Sequence, residues 1–426
     1  MSIVEKTFLG SLMKAEYLIK DTVIQPEQLE STRHKELMRK MVELNRAGKN
    51  IDLLHLTTFL DLESFGGISY LSELLSFSDV EKFDRTEKLI LELWKEREKK
   101  NILTIAALND WEIAKVIAEL DKINQGKMED HTAIQQALAA IYEAPWEDQA
   151  ALKTATTGIK QLDEVTGGFQ DGEVTILAAR PSMGKTDVML HFAKMAGWAG
   201  YLPIIFSLEM PEKQITSRLI ASTGGFNRAK MRDPKRMLNQ IQKNLWCDVL
   251  GDLAETHTQI FDGAGQSVAE MRAKTRKLMH QFPNKKPILF IDYLTLILPD
   301  QTYSGNSHMQ VSEISKSLKT MAKEFNCPVI CLAQLNRSVE SRANKRPLMS
   351  DIRESGSVEQ DADVILFLYR EAYYEKESQD HSLEIIISKN RNGPVGTVAV
   401  NYNVHTGRIE DQKGQNFPLH DLKARN

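Results

Sequence analysis

Along the first hundred residues the apolar positions recur at helical spacing. In STRHKELMRKMVELNRAGKNID (31–52), Leu37, Met38, Met41, Val42 and Leu44 keep close to a 3.6-residue period, which predicts one buried helical stripe. Gly48 is expected to end that helix, and Asp52 to cap the next one, LLHLTTFLDL. Gly66-Gly67 breaks the pattern again before ISYLSELLSF, and a long charged helix is predicted from about Asp84 to Leu108. Alternating β-branched runs are absent here, so an all-α bundle is expected.

From about Thr157 the periodicity changes. The apolar runs EVTILAAR, LPIIFSLE, PILFIDYLTLI, CPVICLAQL, DADVILFLY, LEIIISK and TVAVNYN alternate with helical segments. Near-continuous apolar strands separated by helices predict an α/β unit with a mostly parallel sheet, covered on both faces. Between these parts, from about Asn124 to Leu152, one segment stands alone. HTAIQQALAAIYEA carries Ile134, Ala137, Leu138 and Ile141 on one stripe. That helix must bury its stripe on its own domain or on a neighbouring subunit, and the residues leave both open. The chain is therefore expected to comprise a helical domain (1–110), a linker with an amphipathic docking helix (111–155) and an α/β domain (156–426).

Charge and cysteine usage narrow the class. The net charge of −4 and pI of about 6.3 exclude a protein that coats nucleic acid through overall basicity, so any nucleic-acid site must be confined to a few loops. Cys247, Cys327 and Cys331 include no CxxC pair. They read as small hydrophobes of a protein in a reducing, cytoplasmic setting. No run of 18 apolar residues occurs, so no membrane-spanning helix is expected. MSIVEKTFLGSLMK, with Glu5 early and no cleavage signature, is not expected to be a signal peptide.

The chemistry gathers at strand ends. AARPSMGKTDVMLHFA follows EVTIL and opens a helix, which is the strand–loop–helix context of a phosphate-binding P-loop. The backbone of Ser182, Met183 and Gly184 can cradle phosphate oxygens at the helix N-terminus. Lys185 can reach the β- and γ-phosphates of ATP, and the Thr186 hydroxyl can ligate Mg²⁺. Ala179 stands where the general pattern has glycine. Asp292 ends ILFID and is placed for the metal ion. Glu209, just past LPIIFS, is placed to activate water. Gln334 ends VICLAQ and can hydrogen-bond a γ-phosphate. GKT behind a buried strand is a strong signal, whereas Glu209 and Gln334 taken singly are weak; four polar groups along one carboxyl edge point to an ATPase with a RecA-like core. Ile385–Ile387 run instead into Lys389 and Arg391 before a Gly393-Pro394 turn. Those two cations need an anion, and the loop already has Lys185.

The motifs TGIKQLDEVTGGFQDGEVTILAARPSMGKT, FSLEMP, IDYLTLI, AQLNRSVESRANKRPLMSDIRESGSVEQDADVILFLYR and KNRNGPVGTV resemble those of DnaB-type replicative helicases, in order and over nearly the whole chain. EKTFLGSLM and GGISYLSELL resemble that family's N-terminal helical domain, and AARPSMGKT resembles its own form of the P-loop. The resemblance implies a homohexameric ring in which RecA-like motors bind ATP between subunits and draw single-stranded DNA 5′ to 3′. It implies that Lys389 and Arg391 reach the γ-phosphate of the neighbouring subunit. It implies that Arg353, Glu354 and Gly356 touch the DNA backbone, that the linker helix packs on the adjacent motor, and that a primase and a helicase loader are partners. The cationic stretch with Arg337, Arg342, Lys345, Arg346 and Arg353 lies between two predicted strands, where a few cations per subunit can grip phosphates without reading sequence. For Arg342–Arg346 a solvated loop is a serious competitor. The rival readings are a RecA-type recombinase, a clock-type ATPase, a loader, or a scaffold ring without unwinding activity.

Overall fold

The computed structural model describes residues 3–58, 67–109, 111, 115–116, 119–120, 134, 138, 142, 154–299, 307–352, 356–375 and 382–412. The chain divides into two compact units, 1–150 and 151–426.

The first unit has no strand among its described residues, and its α-helices are Ile3–Lys14, Leu18–Asp21, Thr32–Arg46, Leu53–Thr58, Gly67–Ser76 and Phe83–Leu108. Its core gathers Phe8, Leu12, Leu37, Met38, Met41 and Leu74, so the predicted stripe is the buried face of Thr32–Arg46. The chain leaves that helix through Gly48 at φ 68°, a conformation glycine adopts without a Cβ penalty. The Asp52 carboxylate accepts the His55 amide at 2.8 Å and so caps Leu53–Thr58. Three segments meet at Glu5, which is buried. Its carboxylate takes His34 Nδ1 at 2.6 Å and the amides of Glu30 and Ser31, while His34 Nε2 meets the Tyr70 hydroxyl at 2.6 Å. Burial alone would raise the Glu5 carboxyl; these donors outweigh it and hold the group below its ordinary value. The linker stripe, Ile134 to Ile141, falls largely outside the described residues.

In the second unit one nine-stranded sheet is described. Its strands are β1 (Val174–Ala179), β2 (Leu202–Ser207), β3 (Gln259–Phe261), β4 (Pro287–Asp292), β5 (Val329–Gln334), β6 (Val364–Tyr369), β7 (Ser382–Asn390), β8 (Gly396–Asn403) and β9 (Arg408–Asp411), in the order β3-β2-β4-β5-β1-β6-β7-β8-β9. Pairing is parallel from β3 to β6 and antiparallel from β6 to β9. Every residue of β1 is buried: Ile176 and Ala178 enter one core and Leu177 and Ala179 the other. Both faces are therefore dry, as the apolar runs require. The triple isoleucine is less uniform than its sequence implies. Ile385 and Ile387 are fully buried, but Ile386 is only partly covered on the opposite face. β3 and β9 escape the apolar pattern because they have three and four residues with polar members.

The antiparallel turn of β7 decides where its end lies. Asn390 pairs with Val364, the first residue of β6, and Thr175 of β1 pairs with that same Val364. Lys389 and Arg391 thus sit at the amino edge of the sheet. The P-loop leaves β1 at the carboxyl edge, roughly 10–17 Å further along the strand at about 3.3 Å per residue.

Candidate functional site

The turn between β1 and the helix Lys185–Trp198 needs two left-handed residues, Ser182 at φ 65° and Gly184 at φ 100°. Gly184 also lacks room for a side chain: a Cβ would lie 3.0 Å from the Tyr402 ring. Gly184→Ala combines a left-handed penalty of about 1–2 kcal/mol with that clash, so nucleotide affinity should fall about tenfold or more. Equilibrium titration with a fluorescent ATP analogue checks this.

The polar strand ends converge. A cavity of about 460 Å³ at the carboxyl edge is lined by Lys185, Thr186, Glu209 and Gln334, with Arg218 and Tyr293 on its walls. Gln334 lies beside Ala179 in the β1–β5 register, and Asp292 beside Ser207 in the β2–β4 register. The Thr186 hydroxyl donates to Asp292 Oδ2 at 3.1 Å. Asp292 is fully buried, and its Oδ1 has no hydrogen-bond partner among the described residues. Burial pushes its carboxyl up, against the pull of Lys185 and the Thr186 hydroxyl. Lys185 lies 3.4 Å from the Ala333 carbonyl and over the Tyr293 ring at 4.9 Å. Burial pushes its ammonium down, opposed by Asp292 and Glu209. A half-buried lysine and an unsatisfied buried carboxylate oxygen beside a hydroxyl are suited to a polyphosphate and a hard divalent cation.

A second layer, unmarked in the sequence, supports the loop. Asp187 follows Thr186 and is buried, which would be costly for a lone carboxylate. It is met by Arg228 at 2.5 Å, Arg218 at 3.3 Å and the Tyr402 hydroxyl at 2.5 Å. Burial first, then Asp187, pushes the Tyr402 phenol up to about 12, so it remains a donor. Arg370 stacks on the Tyr402 ring at 5.1 Å and its Nη1 is 3.5 Å from the Ser182 carbonyl. The only sequence signal for this cluster is the acid directly behind GKT, which demands cations from elsewhere.

Lys389 and Arg391 lie far from this cavity and find partners at the amino edge. Lys389 Nζ donates to the carbonyls of Glu359 and Ala362 at 2.5 and 2.7 Å, at the end of the helix Gly356–Asp361. Arg391 donates to the Gln360 carbonyl and lies 3.8 Å from Asp363, leaving its side chain about half exposed. Asp363 is a buried anion already held by Lys319 at 2.5 Å and the Val174 amide at 2.8 Å. Arg353 and Glu354 lie outside the described residues, and Gly356 is the exposed first residue of its helix. The cationic stretch between β5 and β6 is tied down over much of its length. Arg342 pairs with Asp351 at 2.6 Å, Arg346 with Glu384 at 2.6 Å, and Lys345 sits over Tyr374 at 4.8 Å. Cys327 and Cys331 are buried as expected, whereas Cys247 is exposed.

Comparison with known proteins agrees with this arrangement. The family described as the DnaB-like helicase C terminal domain matches residues 154–411, and the DnaB-like helicase N terminal domain matches residues 3–92. Replicative DNA helicase DnaB of Geobacillus stearothermophilus is 37% identical over 88% of this chain and 86% of its own. Replicative DNA helicase DnaC of Bacillus subtilis (strain 168) is 35% identical over 93% of this chain and 91% of its own. A solved DnaB-like replicative helicase, studied with its interactions with primase, superposes with a TM-score of 0.64 at 34% identity, covering 96% of this chain and all of its own.

Proposed function

This chain belongs to the family of DnaB-like helicases, ATP-driven enzymes that unwind DNA at the replication fork, and we propose that six copies of it close into a ring that tracks single-stranded DNA 5′ to 3′. The observation that carries the ring is the separation of the two halves of the site. The P-loop is at the carboxyl edge of the sheet, and Lys389 and Arg391 are at the amino edge. Lys389 and Arg391 point to no phosphate of their own P-loop across that separation, so in this reading the phosphate they serve belongs to another subunit. The half-exposed Arg391 supports that reading, because Gln360 and Asp363 cover only part of its side chain.

In this reading ATP is the substrate of the cavity. Loop amides from Ser182 to Gly184 and the Lys185 ammonium hold its phosphates. Thr186 and Asp292 would hold Mg²⁺, which on binding neutralises charge on the β- and γ-phosphates. Glu209, exposed beside the cavity, orients and deprotonates the attacking water. Gln334 hydrogen-bonds the γ-phosphate from the end of β5. Arg391 and Lys389 of the next subunit stabilise charge that develops on the transferring phosphoryl group, which favours the transition state over bound ATP. Hydrolysis then loosens the subunit contact, and Arg353, Glu354 and Gly356 shift the bound strand. A primase and a helicase loader are the protein partners expected of such a ring in the cytoplasm.

Forked DNA tests the reading. With ATP, a fork carrying only a 5′ tail should be unwound and one carrying only a 3′ tail should not, while native mass gives six chains. DNA-stimulated ATP hydrolysis without unwinding of either fork would point instead to a recombinase-like or scaffold ring.

A further inference from the structure

Arg180 has no part in the chemistry above, yet it is the first residue of the phosphate loop and is buried. It borders the cavity, and its guanidinium nitrogens bond to the chain that leaves β5. Nη1 donates to the Leu335 carbonyl at 2.8 Å, and Nε and Nη2 meet one oxygen of Glu340 at 2.9 and 2.8 Å. The Leu335 amide donates to the carbonyl of Ala179, the preceding residue, at 3.3 Å. Both backbone polar groups of Leu335 are therefore held by residues 179 and 180.

From Leu335 the connection continues. Leu335 forms an antiparallel bridge with Ile352, and the Asn336 amide donates to the Asp351 carbonyl at 2.8 Å. Asp351 also accepts Arg342 at 2.6 Å and the Leu348 amide at 2.7 Å, which closes the whole 335–352 excursion on itself. Ile352 directly precedes Arg353 in the chain. A displacement of the phosphate loop that left this excursion in place would break the Arg180–Leu335, Leu335–Ala179 and Arg180–Glu340 bonds.

We propose that Arg180 is a positioning residue that makes the phosphate loop and the 335–352 excursion move as one body, so that nucleotide binding changes the grip on single-stranded DNA. The proposal rests on the helicase reading of the same site. Arginine suits the task because its fixed fork engages a carbonyl and a carboxylate together, which a lysine cannot reproduce. A coupling between two ligands is reciprocal, so it can be read from binding alone.

The experiment measures oligo-dT affinity of the full-length chain with and without a non-hydrolysable ATP analogue, for the wild type, Arg180→Lys and Glu340→Gln. The wild type should show a ratio of at least about fivefold, and both variants should fall to within about twofold of unity while still binding the analogue. Should Arg180→Lys not fold, Glu340→Gln decides alone, since it removes only the charge of the partner on the surface side of the contact and keeps its shape. Wild-type coupling in the folded variants overturns the proposal. So does a Glu340→Gln protein whose ratio falls only because the analogue no longer binds. A wild type without any coupling also overturns the proposal, while unwinding of the 5′-tailed fork tests the helicase reading by itself.

Discussion

Rings mixed from Arg391→Ala and Lys185→Ala subunits are expected to hydrolyse ATP when rings of either variant alone do not. Each variant breaks a different half of the site. Lys185→Ala removes the proposed ligand of the phosphates, and Arg391→Ala removes the cation at the opposite edge of the sheet. Loss of a trans-acting arginine costs on the order of 10³-fold or more in hydrolysis. In an equal mixture, an intact P-loop faces an intact Arg391 at about one interface in four, if subunits assemble at random around a closed ring. DNA-stimulated hydrolysis, measured across mixing ratios, should therefore peak near equal proportions. A flat profile between the two parents would show that Arg391 does not complete its neighbour's site.

Glu209→Gln should abolish turnover while leaving ATP bound. The side chain lies two residues beyond β2, exposed beside the cavity, and the field of its carboxylate reaches both Lys185 and Asp292. The amide keeps the shape but cannot take a proton from water, so loss of a general base should slow hydrolysis by about 10²–10⁴-fold. In the proposed role Glu209 acts on the attacking water, so affinity for the nucleotide should change by no more than about twofold, the signature of an interaction made only in the transition state. Single-turnover hydrolysis and equilibrium binding, on the same preparation, separate the two. Equal losses in both would assign Glu209 to substrate binding.

Much of the site could be read from the chain because its groups end apolar strands. Lys185, Thr186, Asp292 and Gln334 are each marked by the run that precedes them, and a parallel sheet brings such ends to one edge. What escaped has no local mark. Asp187 meets Arg228 across 41 residues and Tyr402 across 215, and no spacing rule links positions so far apart. The partners of Lys389 are backbone carbonyls, which every residue carries, so sequence shows the cation and hides its acceptors. The reading of Arg342 and Arg346 as phosphate-gripping cations had a solvated loop as its competitor. Both are instead paired with carboxylates of their own chain, Asp351 and Glu384, the second of them on β7.

Those two internal ion pairs also bear on thermodynamics in salt. A cation that displaces ions from a nucleic-acid phosphate contributes about 0.7 to the slope of log affinity against log salt for a single strand. Arg342 and Arg346 are already paired within the chain, so in the proposed ring a bound strand would gain little counterion release from either. The ionic part of binding would then come from few charges per subunit, repeated around that ring. Such a motor can hold its track through many weak contacts, each cheap to break, and take its next step without first paying for a strong one.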